Sequence, residues 1–425
     1  MIWEFAIIAI FIIGYALIVF EHTLNINKAA PALLIGVLTW GVYAVFGGDH
    51  AMVESQLMHH LAEISGILFF LLGAMTIVEI IDLHDGFHVI TSKITTKDKR
   101  KLLWVICILT FVLSAVLDNL TTSIVMASLL RKIIKGDVAR KIFVGMVVIA
   151  ANAGGAFSPI GDVTTTMLWI GNQISAVNII QTLFIPSLIC MLVPLIILTT
   201  RIKGSFVSPK ETTKFRTTPK ERLIILFSGV GMLLFVPVFK TVTHLPPFMG
   251  MFFGLGALWL LTELLHKSKT HEEKSGYSVL NALAKVDSSS VLFFFGILAG
   301  IASLQSIGKL ALLSQFLNDS IGNQDVIVMV IGVLSAIVDN VPLVAASQGM
   351  YSIIDFPTDS KLWEFMAYCA GTGGSMLIIG SAAGVAVMGI EKIDFIWYLK
   401  KIGLLALAGY LAGAAAFLVQ YWLMH

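Results

Sequence analysis

Long apolar segments follow one another from one end of the 425-residue chain to the other, separated by short polar stretches. Most approach the length of about 20 residues that an α-helix needs to cross the hydrocarbon core of a bilayer. Ten spanning segments can be drawn: 2–20, 31–46, 64–82, 140–172, 179–200, 223–240, 248–265, 291–307, 362–390 and 402–424. The pattern therefore predicts an all-α polytopic membrane protein.

Two further apolar segments, 102–130 and 326–354, are each interrupted in the middle by an Asp-Asn dipeptide. The first reads Ser-Ala-Val-Leu-Asp118-Asn119, and the second reads Ser-Ala-Ile-Val-Asp339-Asn340. The two matching interruptions indicate that the second half of the chain repeats the first.

Glycines repeat in the same way, since Gly154-Gly155 followed by Gly161 recurs as Gly373-Gly374 followed by Gly380. A duplicated hydrophobic chain with matching Gly/Pro interruptions is typical of a transporter whose site lies near the bilayer midplane.

The composition excludes a soluble globular protein, because 57% of the residues are hydrophobic and only 13% are charged, against roughly 25% charged in soluble domains. All three cysteines lie inside apolar segments, so we interpret them as small hydrophobic residues and not as disulfide partners or metal ligands. The first four residues lack the basic region of a signal peptide, so the first segment is expected to be retained.

The distribution of basic residues predicts the topology. Four connections, 83–101, 131–141, 201–222 and 266–289, hold 21 of the 28 lysines and arginines, and the positive-inside rule places all four in the cytoplasm. Segment 102–130 then begins and ends on the cytoplasmic side, so it is predicted to be a re-entrant hairpin with Asp118-Asn119 near its tip. The alternative is that this segment simply spans the membrane.

The copy at 326–354 lies between sparsely charged connections and is predicted to enter from the outside. Each half then has five crossings and one hairpin, and an odd number of crossings inverts the second half relative to the first. We predict a first inverted repeat at 1–200, a cytoplasmic linker at 201–222 and a second repeat at 223–425, with both termini outside.

The interrupted segments carry the candidate chemistry. A helix that breaks within the membrane exposes backbone polar groups, which are tolerated only around a protein-lined or wet cavity. A charged aspartate there costs roughly 2.5–3.5 kcal/mol on insertion scales, which favours a functional role for Asp118 and Asp339. The alternative is that these aspartates only cap helices. Neighbouring oxygen donors complete the two candidate half-sites: Asn119, Thr121, Thr122 and Asn340.

A third candidate is the Gly/Pro-rich break between residues 152 and 166, where Ser158, Asp162 and Thr164 add side-chain oxygens. The span 140–172 is long enough for two half-helices joined by an unwound stretch. In the mirrored span, Ser375 and Ser381 are the candidates, and Asp162 aligns with Ser381. The two halves of the site are therefore expected to be chemically unequal. A Gly-Gly pair that only packs against another helix is the alternative.

None of these four stretches contains Lys or Arg, so unpaired acidity is expected to face the cavity. This favours Na⁺, Li⁺ or H⁺ as cargo and argues against an anion. Glu79, near the end of span 64–82, could belong to a proton path or could reach the interface.

These motifs, with the sequence Asn27-Lys-Ala-Ala-Pro near the start of the chain, resemble those of the NhaD-type sodium/proton antiporters of the ion-transporter superfamily. The resemblance implies exchange of cytoplasmic Na⁺ or Li⁺ for external H⁺ across a prokaryotic inner membrane. It also implies a homodimer in the lipid bilayer, with a scaffold and a moving part that contains the hairpins. No enzymatic activity, cofactor or nucleic acid partner is expected.

As a mechanism, we hypothesise that Na⁺ or Li⁺ at Asp118, Asn119, Asp162 and Asp339 competes with protons. Clustered carboxylates in a low-dielectric site hold protons until a cation replaces them. The alternatives are a Na⁺-coupled anion symporter or arsenite exporter of the same superfamily, a passive cation channel and an intramembrane aspartyl protease.

Overall fold

The computed structural model describes residues 2–94, 96, 98–134, 136–206, 217–267 and 276–424. Residues 207–216 of the predicted linker and 268–275 of the next predicted connection lie outside the described residues. Within the described ranges the chain is helical, and its only β contact is an isolated bridge between Asp98 and Ser205. The predicted all-α class is confirmed.

The helices follow in chain order and are numbered here within the described residues. They are α1 Ile2–Val19, α2 Glu21–Leu24, α3 Ala29–Phe46, α4 His50–Leu83, α5 His88–Thr91, α6 Lys99–Leu117, α7 Asn119–Ile133, α8 Asp137–Ala156, α9 Val163–Ile170, α10 Ala176–Arg201, α11 Pro219–Thr243, α12 Pro247–Leu265, α13 Val279–Lys285, α14 Ser288–Ser306, α15 Lys309–Ile321, α16 Gln324–Leu334, α17 Asn340–Met350, α18 Lys361–Gly373, α19 Ala382–Glu391, α20 Phe395–Tyr398 and α21 Leu404–Met424. A π-helical segment, Leu399–Gly403, joins the last two.

Ten described helical stretches are long and apolar enough to cross a membrane, as a polytopic protein requires. The set differs from the ten predicted spans at two places. Segment 362–390 is not one helix but the short helices α18 and α19. Helix α6, the first arm of a predicted hairpin, has 19 residues and a length of about 28 Å, so it is itself long enough to cross.

Four interruptions divide the middle of each half into short helices. The chain breaks between α6 and α7, between α8 and α9, between α16 and α17, and between α18 and α19. The interruption predicted at 152–166 is present, since α8 ends at Ala156 and α9 begins at Val163.

The packing of these helices is equivalent in the two halves. Helix α6 packs on α8 as α16 packs on α18. Helix α7 packs on α19, in the other half, as α17 packs on α9. The short helices of one half therefore contact those of the other.

A separate apolar core contains side chains of α1, α3, the first part of α4 and α14. Within it, α3 packs directly against α14.

A buried carboxylate joins three of these elements. The Glu391 side chain, at the end of α19, is fully buried. Its Oε1 lies 2.8 Å from Nε of Arg131 at the end of α7, and its Oε2 accepts a hydrogen bond of 2.5 Å from Nε of Arg140 in α8. Two guanidinium groups thus fix the polar ends of α7, α8 and α19 together.

Candidate cation site at four helix N-termini

The four interruptions create four helix N-termini, and each is capped by a side chain of the candidate site. Asp118 caps α7 through the amide of Thr121 at 2.7 Å, and Asp162 caps α9 through the amide of Thr164 at 2.8 Å. Asp339 caps α17 with a bond of 3.3 Å, and Ser381 caps α19 with one of 3.2 Å. The capping role that the sequence left as an alternative is therefore present, and it leaves further lone pairs on every carboxylate.

Asp162 lies at the centre of a buried hydrogen-bond network. Its Oδ1 also accepts a bond of 2.5 Å from the hydroxyl of Thr164, and its Oδ2 accepts one from the amide of Asn119. Asn119 donates as well to Oδ1 of Asn152 at 3.1 Å. The breaks before α7 and α9 are thus joined by side chains that the sequence placed more than 40 residues apart.

Asn152 extends the network into the second half of the chain. Its amide donates to the hydroxyl of Ser375 at 2.9 Å and to that of Ser381 at 3.0 Å. All three side chains are buried. One asparagine therefore connects the two halves of the candidate site.

The backbone at Asp118 is unusual, with φ 95° and ψ 158°. This region is populated almost only by glycine, and other residues there cost about 1–3 kcal/mol. The carboxylate is held by Thr121, whose hydroxyl donates to Oδ2 at 2.9 Å in addition to the amide bond. Such a strained backbone persists only where the surrounding structure imposes it, and it is common at ligand sites.

The glycines of the two breaks meet equivalent neighbours. A Cβ on Gly154 would overlap the carbonyl oxygen of Phe111, and a Cβ on Gly373 would overlap that of Gly332. Phe111 and Gly332 occupy matching positions in the two interrupted segments. The backbone of each break therefore lies directly on the helix that precedes the capping aspartate, at a distance that only glycine permits.

Replacing Gly154 or Gly373 by alanine is expected to destabilise the protein by about 1–3 kcal/mol, because the new methyl group meets backbone that cannot move aside. Both variants should melt at a lower temperature than wild type when purified in detergent. Gly389→Ala is the matched control, since Gly389 is also helical but has open space at its Cβ position. Equal melting temperatures for all three variants would contradict the packing described here.

Asp339 differs from the other two aspartates because it is paired with a lysine. Nζ of Lys28 lies 3.0 Å from Oδ2 of Asp339. The expectation of unpaired acidity was therefore wrong for Asp339. The reason is that the cation comes from outside the four stretches, from the connection before α3.

The remaining candidates lie in different surroundings. Thr122 is buried, and its hydroxyl has no hydrogen-bond partner among the described residues. Asn340 is buried beside Asp339, and the hydroxyl of Ser158 donates to the carbonyl of Ala115 at 2.5 Å. Glu79 forms an ion pair of 3.2 Å with Lys285, and its proposed place in a proton path stays a prediction.

Three cavities adjoin the caps. One of about 50 Å³ is lined by Asp118 and Asn119, and one of about 30 Å³ is lined by Lys28 and Asp339. A wider opening of about 420 Å³ is lined by Lys28, which also lines the cavity at Asp339, and by Ser290, which also lines the cavity at Asp118. A water requires about 10–15 Å³ of such volume, so the cavity at Asp118 has room for a few waters or one small ion.

Sequence reasoning missed two residues of this arrangement. Asn152 stood at the start of the Gly/Pro-rich break but was not selected, and its aligned position in the second half, Gly371, has no side chain to bond. Lys28 lies within the Asn27-Lys-Ala-Ala-Pro motif. Its position as a lone lysine next to an apolar helix was the one sign in the sequence that it could pair with a carboxylate.

Comparisons with known proteins identify the family of the chain. The family model described as a citrate transporter matches residues 15–363. The chain is 49% identical to Sodium/proton antiporter 1 of Arabidopsis thaliana, over 98% of this chain and 73% of that protein. It is 30% identical to Na(+)/H(+) antiporter NhaD of Halomonas elongata, over 98% of this chain and 88% of that protein. It is 32% identical to Na(+)/H(+) antiporter NhaD of Vibrio parahaemolyticus, over 90% of this chain and 97% of that protein. The chain therefore belongs to the citrate-transporter family, as a relative of the NhaD-type sodium/proton antiporters.

Proposed function

We propose that the chain exchanges cytoplasmic Na⁺ or Li⁺ for external H⁺ at the aspartate-capped helix N-termini. The names of the relatives support sodium/proton antiport. The observation that carries the proposal for this chain is the pair Asp118 and Asp162. Asn119, the neighbour of Asp118, donates a hydrogen bond to Asp162, and Asp118 and Asn119 line a cavity of about 50 Å³.

The oxygen chemistry fits a small hard cation. Each carboxylate offers about four lone-pair sites, of which Asp118 uses two and Asp162 three in the hydrogen bonds described above. The unused lone pairs, together with the hydroxyl of Thr122, can replace water around Na⁺ or Li⁺. Hard cations prefer such all-oxygen surroundings.

Competition between cation and proton then gives exchange. Carboxylates in a site of low dielectric constant hold protons, which a bound cation displaces. If the protein reorients only when the carboxylates are neutralised, neither ion crosses alone. Asp339 enters this scheme with its charge balanced by Lys28, so the first half of the chain supplies most of the acidity.

The equivalent packing of the two halves supports an inverted repeat, with 1–200 and 223–425 as its units. In the proposed topology α6–α7 and α16–α17 are hairpins that enter from opposite sides. The connections around 21–28 and 287–290 then face the cytoplasm, and the 420 Å³ opening is the cytoplasmic entrance. A homodimer and a prokaryotic inner membrane are further parts of this proposal.

An anion symporter is the second candidate, because helix N-termini attract anions and the matching family model is described as a citrate transporter. Three of the four N-termini here carry their own carboxylate. Those charges repel an anionic cargo, and Lys28, which reaches the site, is already paired with Asp339. The arrangement favours the cation.

The test uses everted membrane vesicles that hold a respiration-driven pH gradient, followed with a pH-sensitive dye. Addition of NaCl or LiCl is expected to restore the fluorescence of the dye as protons leave, whereas KCl and sodium-free citrate should have no effect. Vesicles without the protein are the control. A response to citrate, or none to any cation with the protein present in the membrane, would move the assignment to the anion symporter.

A further inference from the structure

Lys28 is the one lysine or arginine among the described residues that forms an ion pair with an aspartate cap of the candidate site. The ammonium lies 3.0 Å from Oδ2 of Asp339, and the two residues are 311 positions apart in the sequence. The side chains of Lys28 and Asp339 are only 20% and 11% exposed. Such a pair loses more energy when one partner is removed than an exposed pair does.

The surroundings of Lys28 hold its ammonium at this place. Nζ lies 4.2 Å from the centroid of the Phe293 ring, at a distance that permits a cation–π interaction. The preceding residue, Asn27, accepts hydrogen bonds from the amide of Ala29 at 2.9 Å and from the hydroxyl of Ser289 at 2.8 Å. The start of α3 is thus anchored to the start of α14, and Lys28 projects from this anchored segment.

Lys28 also borders two spaces. It lines the small cavity at Asp339 and the 420 Å³ opening. Glu21 and Asp287 line the same opening, so an ammonium that leaves Asp339 finds other carboxylates within the same water-accessible space. The two spaces that Lys28 borders therefore both have carboxylates in their lining.

We infer that Lys28 is a tethered competitor of the transported cation: its ammonium occupies Asp339 when no cation is bound and must leave before Na⁺ or Li⁺ uses that carboxylate. The inference rests on the proposed antiport and names Lys28 as the residue that sets the apparent affinity of the site. It also explains how Asp339 stays neutralised between two transport events, when an unpaired carboxylate would be costly in the membrane.

The experiment replaces Lys28 by cysteine and restores the charge chemically. The three native cysteines are buried, so a small thiosulfonate reagent added to the vesicles should modify mainly the new thiol at the opening. An aminoethyl thiosulfonate adds an ammonium group to the cysteine introduced at position 28. A methyl thiosulfonate reacts with the thiol in the same way but adds a neutral group. The half-maximal Na⁺ concentration for proton exchange is measured before and after each reagent, at one alkaline pH.

Lys28→Cys is expected to lower the half-maximal Na⁺ concentration about tenfold. The aminoethyl reagent should return it toward the wild-type value, and the methyl reagent should not. Lys309→Cys is the matched control, because Lys309 forms a comparable ion pair of 2.6 Å with Glu4, with side chains 25% and 21% exposed. Lys309→Cys should leave the half-maximal concentration unchanged.

Three results would overturn the inference: an unchanged or higher half-maximal concentration in Lys28→Cys, equal effects of the two reagents, or the same shift in Lys309→Cys. If Lys28→Cys does not reach the membrane, Lys28→Arg keeps the charge and should keep or raise the half-maximal concentration, so that a fall would overturn it. Failure of the antiport proposal is seen separately, as wild-type vesicles that do not respond to Na⁺.

Discussion

Asp162→Asn is expected to abolish Na⁺- and Li⁺-dependent proton exchange while the protein still reaches the membrane. Asparagine caps a helix about as well as aspartate, so the fold around α9 should persist. The charge disappears, together with the acceptor oxygen that the amide of Asn119 uses. A unit charge at about 4 Å contributes about 4 kcal/mol at an effective dielectric constant of 20, so the loss of cation affinity is roughly a thousandfold. Asp118→Asn should behave alike.

The dye assay in everted vesicles measures this loss, with protein in the membrane quantified by immunoblotting. Asp98→Asn is the matched control, because Asp98 also caps a helix, through a bond of 2.9 Å to the amide of Lys101, but lies away from the candidate site. It should exchange at the wild-type rate. Normal exchange in both Asp118→Asn and Asp162→Asn would remove the aspartates from the proposed site.

Glu391→Gln is expected to lower the stability of the protein by about 3–5 kcal/mol, the cost of removing one partner from a buried ion pair. The amide would remove the negative charge that Arg131 and Arg140 share at the junction of α7, α8 and α19. The measurement is the melting temperature of the purified protein in detergent. Exchange activity should be lost at temperatures where the wild type is still active.

Asp325→Asn provides the comparison for Glu391→Gln. Asp325 pairs with Lys361 at 2.6 Å, but both side chains are about one-third exposed. Ion pairs open to solvent contribute about 0–1 kcal/mol, so this variant should melt close to wild type. An equally small effect of Glu391→Gln would show that the three helix ends are held together mainly by apolar packing.

Much of the fold could be predicted from the sequence, because an α-helix needs about 20 apolar residues to cross the hydrocarbon core of a bilayer. The apolar segments predicted helices, and the Asp-Asn and Gly-Gly repeats predicted the positions of the interruptions. The division of 362–390 into α18 and α19 had a weaker signal, because the glycines between 371 and 380 mark the break without the proline and aspartate of the first half. Helix α6 is longer than a hairpin arm needs, which composition alone did not reveal.

The site was predictable where one motif supplied several groups, as at Asp118 and Thr121 or Asp162 and Thr164. It was not predictable where partners come from distant elements. Nothing in the local sequence of Asp339 indicates Lys28, and Asn152 becomes a connecting residue only because Ser375 and Ser381 are brought to it by the packing of α8 on α19. Long-range pairing is set by tertiary structure and has no signature in a single sequence.

The hydrogen bonds of Asn152 also determine when the site can form during biosynthesis. The ribosome releases the first 200 residues before it has made Ser375, Ser381 or Glu391, so an emerging first half contains Asp118 and Asp162 without their partners from the second. Contacts this distant in the chain close late in folding. The candidate site is therefore assembled only when nearly the whole protein has entered the membrane, and an incomplete chain lacks the paired halves that the proposed transport requires.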